Sequence, residues 1–209
     1  MATINIFGEI GWEVEAATVI NLIQDTTDNE LNVIISSGGG SAFEGLMIYD
    51  ALKSFSSQDG KQVNTKILGL GASAASVIFM AGDSREMGEG SLLMVHNSWS
   101  QFIGNRQEVI EQLGTLEAID NRMLNIFQKG TGLRAEDLED LLNQETWMTV
   151  DVAMQYGFAN TVGESVSIAA SIYDSYKQKQ KEPVKMATEE ETKEAGFLSH
   201  MMAYFKKDE

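Results

Sequence analysis

The chain has 209 residues, 43% of them hydrophobic, enough for one globular domain with a substantial core. It has no cysteine, which excludes disulfides, thiolate nucleophiles and cysteine-based metal sites and leaves serine, threonine or carboxylate chemistry. A formal charge of −16, an N-terminus without a signal-peptide pattern, and no apolar run of about 18 residues predict a soluble cytoplasmic protein without nucleic-acid or membrane partners.

Ile4 to Ile10 alternates as a short strand, and Glu13 to Ile23 carries Val14, Ala17 and Leu22 at helical spacing. The run "LNVIIS" reads as a buried strand. It opens into "SGGGSAFEGLMIYDALKSF", where glycines release a helix with Phe43, Leu46, Met47 and Leu52 on its apolar face. A strand over Val63 to Leu70, an apolar helical run "GASAASVIFMA" and a strand "SLLMVHNS" repeat the pattern, which predicts an α/β layered fold with largely parallel pairing. A long helix follows from Asn105 to Phe127, marked by Val109, Leu113, Leu116, Ile119, Met123 and Ile126. Such a stripe packs on the sheet or projects as an arm toward another subunit. An acidic helix "AEDLEDLL" leads to "ETWMTVDVAMQYGFAN", read as turn, helix and return strand. Residues 1–175 are expected to form the domain. Residues 176–209 are expected to be a charged linker containing Pro183 and a short amphipathic tail after Met186, with Phe197, Leu198, Met201, Met202 and Phe205 on one face.

The chemistry concentrates at strand ends. Ser73, among small residues at the junction of strand and helix, is placed as a nucleophile or as a simple helix cap. The chain has two histidines, and His96, at the rim of its strand, is the one credible base; His200 lies in the tail. A serine and imidazole need an acid to fix the ring, and Glu145 stands beside Trp147 with Asp151, Asp140 and Asn143 as competitors. The N–H groups of Gly39 and Ala74 are candidate oxyanion donors. The glycine loop has neither the lysine of a phosphate-binding loop nor a dinucleotide spacing.

These residues carry a resemblance. "IISSGGGSAFEGLMIYDALK" resembles the Ile-Asn-Ser-Pro-Gly-Gly-Ser segment of the Clp protease proteolytic subunit, and "GLGASAASVIFMAG" its nucleophile segment, with Ser73 as the serine. "SLLMVHNS" is similar to the segment bearing the catalytic histidine, here His96. "ETWMTVDVAMQYGFAN" resembles the closing motif that runs from Asp-Arg-Phe to Ala-x-x-Tyr-Gly, which puts Glu145 at the triad acid. The likeness runs from about Ile4 to Val162.

It implies a ClpP/crotonase-type fold of repeated β-β-α units with a long protruding handle helix, a Ser73–His96–Glu145 triad, an oxyanion hole at Gly39 and Ala74, no metal or cofactor, and a homo-oligomeric ring acting on protein or peptide substrates. The departures are Gly38 for proline, Glu145 for aspartate, Ala74 for methionine, a first strand close to Met1 that leaves no room for ATPase-binding loops, and the added tail. Together they resemble the head maturation proteases of tailed bacteriophages, which implies capsid or scaffold partners. The alternatives are a degradative subunit fed by an ATPase unfoldase, a crotonase-like acyl-CoA binder, and an idle scaffold-associated protein.

Overall fold

A computed structural model of the chain describes residues 1–163. The expected linker and amphipathic tail, and the boundary at residue 175, lie outside the described residues. The elements are β1 (Ala2–Phe7), α1 (Ala16–Asp25), β2 (Glu30–Ser37), α2 (Ala42–Ser56), β3 (Gln62–Ala72), α3 (Ala74–Phe79), β4 (Ser84–Gly88), β5 (Leu92–Val95), α4 (Arg106–Thr131), α5 (Ala135–Asn143), β6 (Thr146–Thr149), α6 (Val150–Gln155) and β7 (Thr161–Gly163).

The fold is the expected α/β arrangement. The main sheet runs β1-β2-β3-β4-β7, every neighbouring pair parallel, because helical crossovers return the chain to the same end of the sheet. The strand β5 pairs parallel with the far end of β3, from Leu70 opposite Leu92 to Ala72 opposite Met94. The strand β6 then adds antiparallel to β5, from Val95 opposite Thr146 to Leu92 opposite Thr149.

The register puts three chain ends at one edge. Ser73 follows the last residue of β3, and His96 follows the last residue of β5, its parallel neighbour. Since β6 runs the opposite way, the residue before it, Glu145, stands where β5 ends.

The apolar faces of α1 and α2 match those expected only in part: Val14 and Leu52 are buried and Leu46 packs against the core, but the remaining positions differ. In α1 the buried residues are Ala16, Val19 and Ile23, while Leu22 is exposed; in α2 Ile48, Tyr49, Leu52 and Phe55 enter the core, while Phe43 and Met47 face solvent. Helix spacing alone leaves adjacent stripes open, and it is the crossing against the sheet that selects one. Within the core, Gly45 lets α2 approach α3: a Cβ there would lie 3.1 Å from the Cβ of Ala74.

The long helix begins one residue later than expected, with Asn105 as its cap. The Asn105 side chain accepts from the Gln107 and Glu108 N–H groups, and the Glu108 carboxylate accepts from the Asn105 N–H, a capping box. The helix ends at Thr131 against Gly132 in the left-handed conformation. Its 26 residues span about 39 Å. Along it Ile119, Met123, Ile126 and Phe127 are buried, while Ile110 and Leu113 in the first half are exposed. Near its far end, the Arg85 guanidinium donates to the carbonyls of Phe158, Gly82, Gly130 and Gly157, tying β4 to three separate segments.

Candidate active site

Ser73 sits on a forced backbone. Its φ of 56° and ψ of −124° lie outside the regions open to an ordinary L-residue, a strain of about 1–3 kcal/mol that the surrounding pairing must hold. The Ser73 N–H donates to the Met94 carbonyl at 3.0 Å, and the Ser73 carbonyl accepts from the Ser76 N–H at 2.9 Å and the Ser76 hydroxyl at 2.6 Å. The first ties the residue to β5, the others to α3. Ser73 makes no side-chain cap for α3, so its hydroxyl is left to other work.

That hydroxyl is 2.8 Å from His96 Nε2. The ring is held beneath the surface, its side chain 15% exposed, and Nδ1 faces Glu145 Oε2 at 3.7 Å. This is ion-pair distance and longer than a hydrogen bond. Glu145 is itself unusual: its φ is 49°, its N–H donates to the Leu142 carbonyl at 3.2 Å, and its side chain is 58% exposed. Its other oxygen, Oε1, accepts from the Trp147 indole at 3.4 Å.

The competitors for the acid go elsewhere. Asn143 accepts from the Asn97 amide at 2.7 Å, Asp140 lies within α5, and Asp151 is exposed in the first turn of α6.

The glycine loop closes over the serine. Gly39 has a φ of +103°, and a Cβ there would lie 2.6 Å from the Ser73 Cβ and 2.9 Å from the Ala72 carbonyl oxygen. Only glycine fits this approach. The Gly39 N–H donates to Ser37 Oγ at 3.1 Å, and that hydroxyl donates to the Gly8 carbonyl at 2.6 Å. One expected oxyanion donor is thus engaged inside its own loop. Ala74, the other, is the first residue of α3, where backbone N–H groups have no intrahelical acceptor.

A cleft of about 670 Å³ opens over these groups. Gly38 to Ser41, Ser73 and His96 form one side, and Leu116, Ile119 and Met123 of α4 form the other. Two residues that the sequence reading passed over hold this wall in place. Asp120 accepts from the Ser98 N–H at 2.7 Å, and the Ser98 hydroxyl donates to the Leu116 carbonyl at 3.4 Å, fixing the segment after His96 to α4. A carboxylate interrupting an apolar helical stripe was the one signal for Asp120; Ser98 gave none. Among the described residues no cluster of histidine and carboxylate side chains is placed to hold a metal ion, and no helix is long and apolar enough to cross a membrane.

Residues 2–166 match the family described as Clp protease. Among curated proteins the chain is similar to an ATP-dependent Clp protease proteolytic subunit from Oenothera elata subsp. hookeri, with 31% identity over 159 residues, 74% of this chain. The chain spans 62% of that relative's length. Among solved structures, a ClpP1 variant from Listeria monocytogenes shares the fold with a TM-score of 0.68 at 23% identity, over 78% of this chain and 92% of that one.

Proposed function

Because the chain belongs to the Clp protease family, we propose that it is a serine endopeptidase with Ser73 as nucleophile, His96 as base and Glu145 as acid. The observation that carries this reading is the 2.8 Å contact of Ser73 Oγ with His96 Nε2, made by a serine on a strained backbone at the floor of a cleft. With the ring proton on Nδ1, facing Glu145, Nε2 is the acceptor for the serine proton. As Oγ bonds the substrate carbonyl carbon, that proton passes to Nε2, and the Glu145 carboxylate stabilises the imidazolium. The oxyanion takes the Ala74 N–H and the Gly39 N–H, the latter exchanging Ser37 Oγ for the substrate oxygen. His96 then protonates the leaving amine. Water, losing its proton to His96, cleaves the acyl-enzyme and frees Ser73.

Assembly into a ring through α4 is part of the proposal, supported by the exposed Ile110 and Leu113 on its first half. For substrates we favour capsid or scaffold components of a tailed bacteriophage, on the strength of Gly38, Glu145 and the charged tail. The printed name of the plant relative supports a second reading, a degradative subunit served by an ATP-driven partner.

Intact-mass labelling with a fluorophosphonate tests the chemistry. Ser73 Oγ bonds phosphorus, fluoride leaves and the proton goes to His96. One adduct is expected on the wild type and none on Ser73→Ala or His96→Ala. An adduct that persists on Ser73→Ala, or none on folded wild type, would overturn the mechanism. Degradation of a folded protein only with an added unfoldase and ATP would select the second reading over the first.

A further inference from the structure

We infer that Trp147 is a positioning residue for the triad acid: its indole N–H holds one oxygen of Glu145 and so directs the other toward His96. The inference rests on the serine-protease reading above, but on a different contact. A glutamate that is 58% exposed has three side-chain torsions to lose, and its Oε2, at 3.7 Å from His96 Nδ1, is too far to be fixed by the ring. Something else must hold it.

Two restraints do so. The backbone at φ 49°, with its N–H bonded to Leu142, sets the direction in which the side chain leaves. The Trp147 Nε1–H then donates to Oε1 at 3.4 Å, and among the described residues no lysine or arginine is paired with this carboxylate. Trp147, two residues after Glu145, is the second residue of β6 and pairs with Met94 on β5. Its indole has only two torsions and so carries the position of the ladder to the carboxylate.

The length of the acid gives this contact its purpose. The closing motif that the chain resembles has aspartate and phenylalanine at these two places; this chain has glutamate and tryptophan. The longer, looser carboxylate and the ring that can donate to it occur together.

The test is a double-mutant cycle on the full chain, reading the second-order rate of fluorophosphonate labelling in wild type, Trp147→Phe, Glu145→Ala and the double variant. Phenylalanine keeps the ring and removes only the donor. Trp147→Phe is expected to slow labelling about tenfold in the Glu145 background and less than about twofold in the Glu145→Ala background. A merely structural tryptophan would lower both rates equally, and that result, or an unchanged rate in Trp147→Phe, overturns the inference. Of the three indole N–H resonances, the one lost in Trp147→Phe is expected to move upfield in Glu145→Ala. This second readout does not depend on activity. An unlabelled wild type would refute the protease reading, and the indole shift would then decide alone whether Trp147 holds the carboxylate: an unmoved resonance refutes it.

Discussion

Replacing Gly39 by alanine should damage chemistry far more than folding. The backbone there, at φ +103°, costs an alanine about 1–3 kcal/mol. The added methyl would also lie 2.6 Å from the Ser73 Cβ and 2.9 Å from the Ala72 oxygen, where carbon contacts settle at about 3.5–4.0 Å. Loop and nucleophile must therefore part by about 1 Å. A misplacement of that size costs on the order of a hundredfold in rate, whereas the stability loss lowers Tm by only about 3–10 °C. The assay pairs fluorophosphonate labelling with thermal unfolding. Gly38→Ala is the control in the same loop, since a Cβ there meets no atom within 4 Å and its φ is not left-handed. It should label at the wild-type rate with an equal or slightly raised Tm. Labelling of Gly39→Ala within twofold of wild type would refute the reasoning, because the tight approach would then play no part in placing the serine.

Ile110 and Leu113 are 44% and 54% exposed on the first half of α4. Glutamate at both should reduce the proposed assembly, measured by sedimentation, while leaving the helical circular dichroism intact; an unchanged sedimentation profile would remove this face from the proposed ring contact. Burial pushes the Tyr49 phenol above its ordinary value, with the nearby Arg122 pulling the other way. A folded-state pKa above the unfolded one means that the stability held by the neutral phenol is complete below about pH 10 and is lost as pH rises through the raised value. The denaturation midpoint of Tyr49→Phe should thus fall less steeply than that of wild type between about pH 10 and 12; equal slopes would show that another group governs the alkaline limb.

Where pattern and structure agree, the sequence contained the physical cause. The strand–glycine–helix order gives parallel pairing, and the runs ending at Ala72 and Val95 bring Ser73 and His96 to one edge whatever the details of packing. Other features were not legible. The strand β4, Ser84–Gly88, has Arg85 and Glu86 at its centre, and buries only Met87 and Gly88, so it shows no apolar run. The segment at Thr146–Thr149, expected as a turn, is a strand because β5, distant in the chain, offers it an edge. The engagement of Gly39 with Ser37 depends on loop geometry that composition does not encode. The capping box of Asn105 and Glu108 was written in the sequence at the expected spacing and fixes the start of α4.

The antiparallel attachment of β6 gives the site an order of disassembly. Ser73 and His96 are joined through β3 and β5, parallel neighbours inside the sheet, whereas Glu145 hangs at the start of a four-residue strand that is paired, among the described residues, on one side only. Fraying of that edge withdraws the carboxylate first and leaves the dyad standing. The proposed reactivity of Ser73 is therefore expected to be lost in two stages on warming, read as fluorophosphonate labelling: a partial decline while the globule is intact, then abolition when the central strands part.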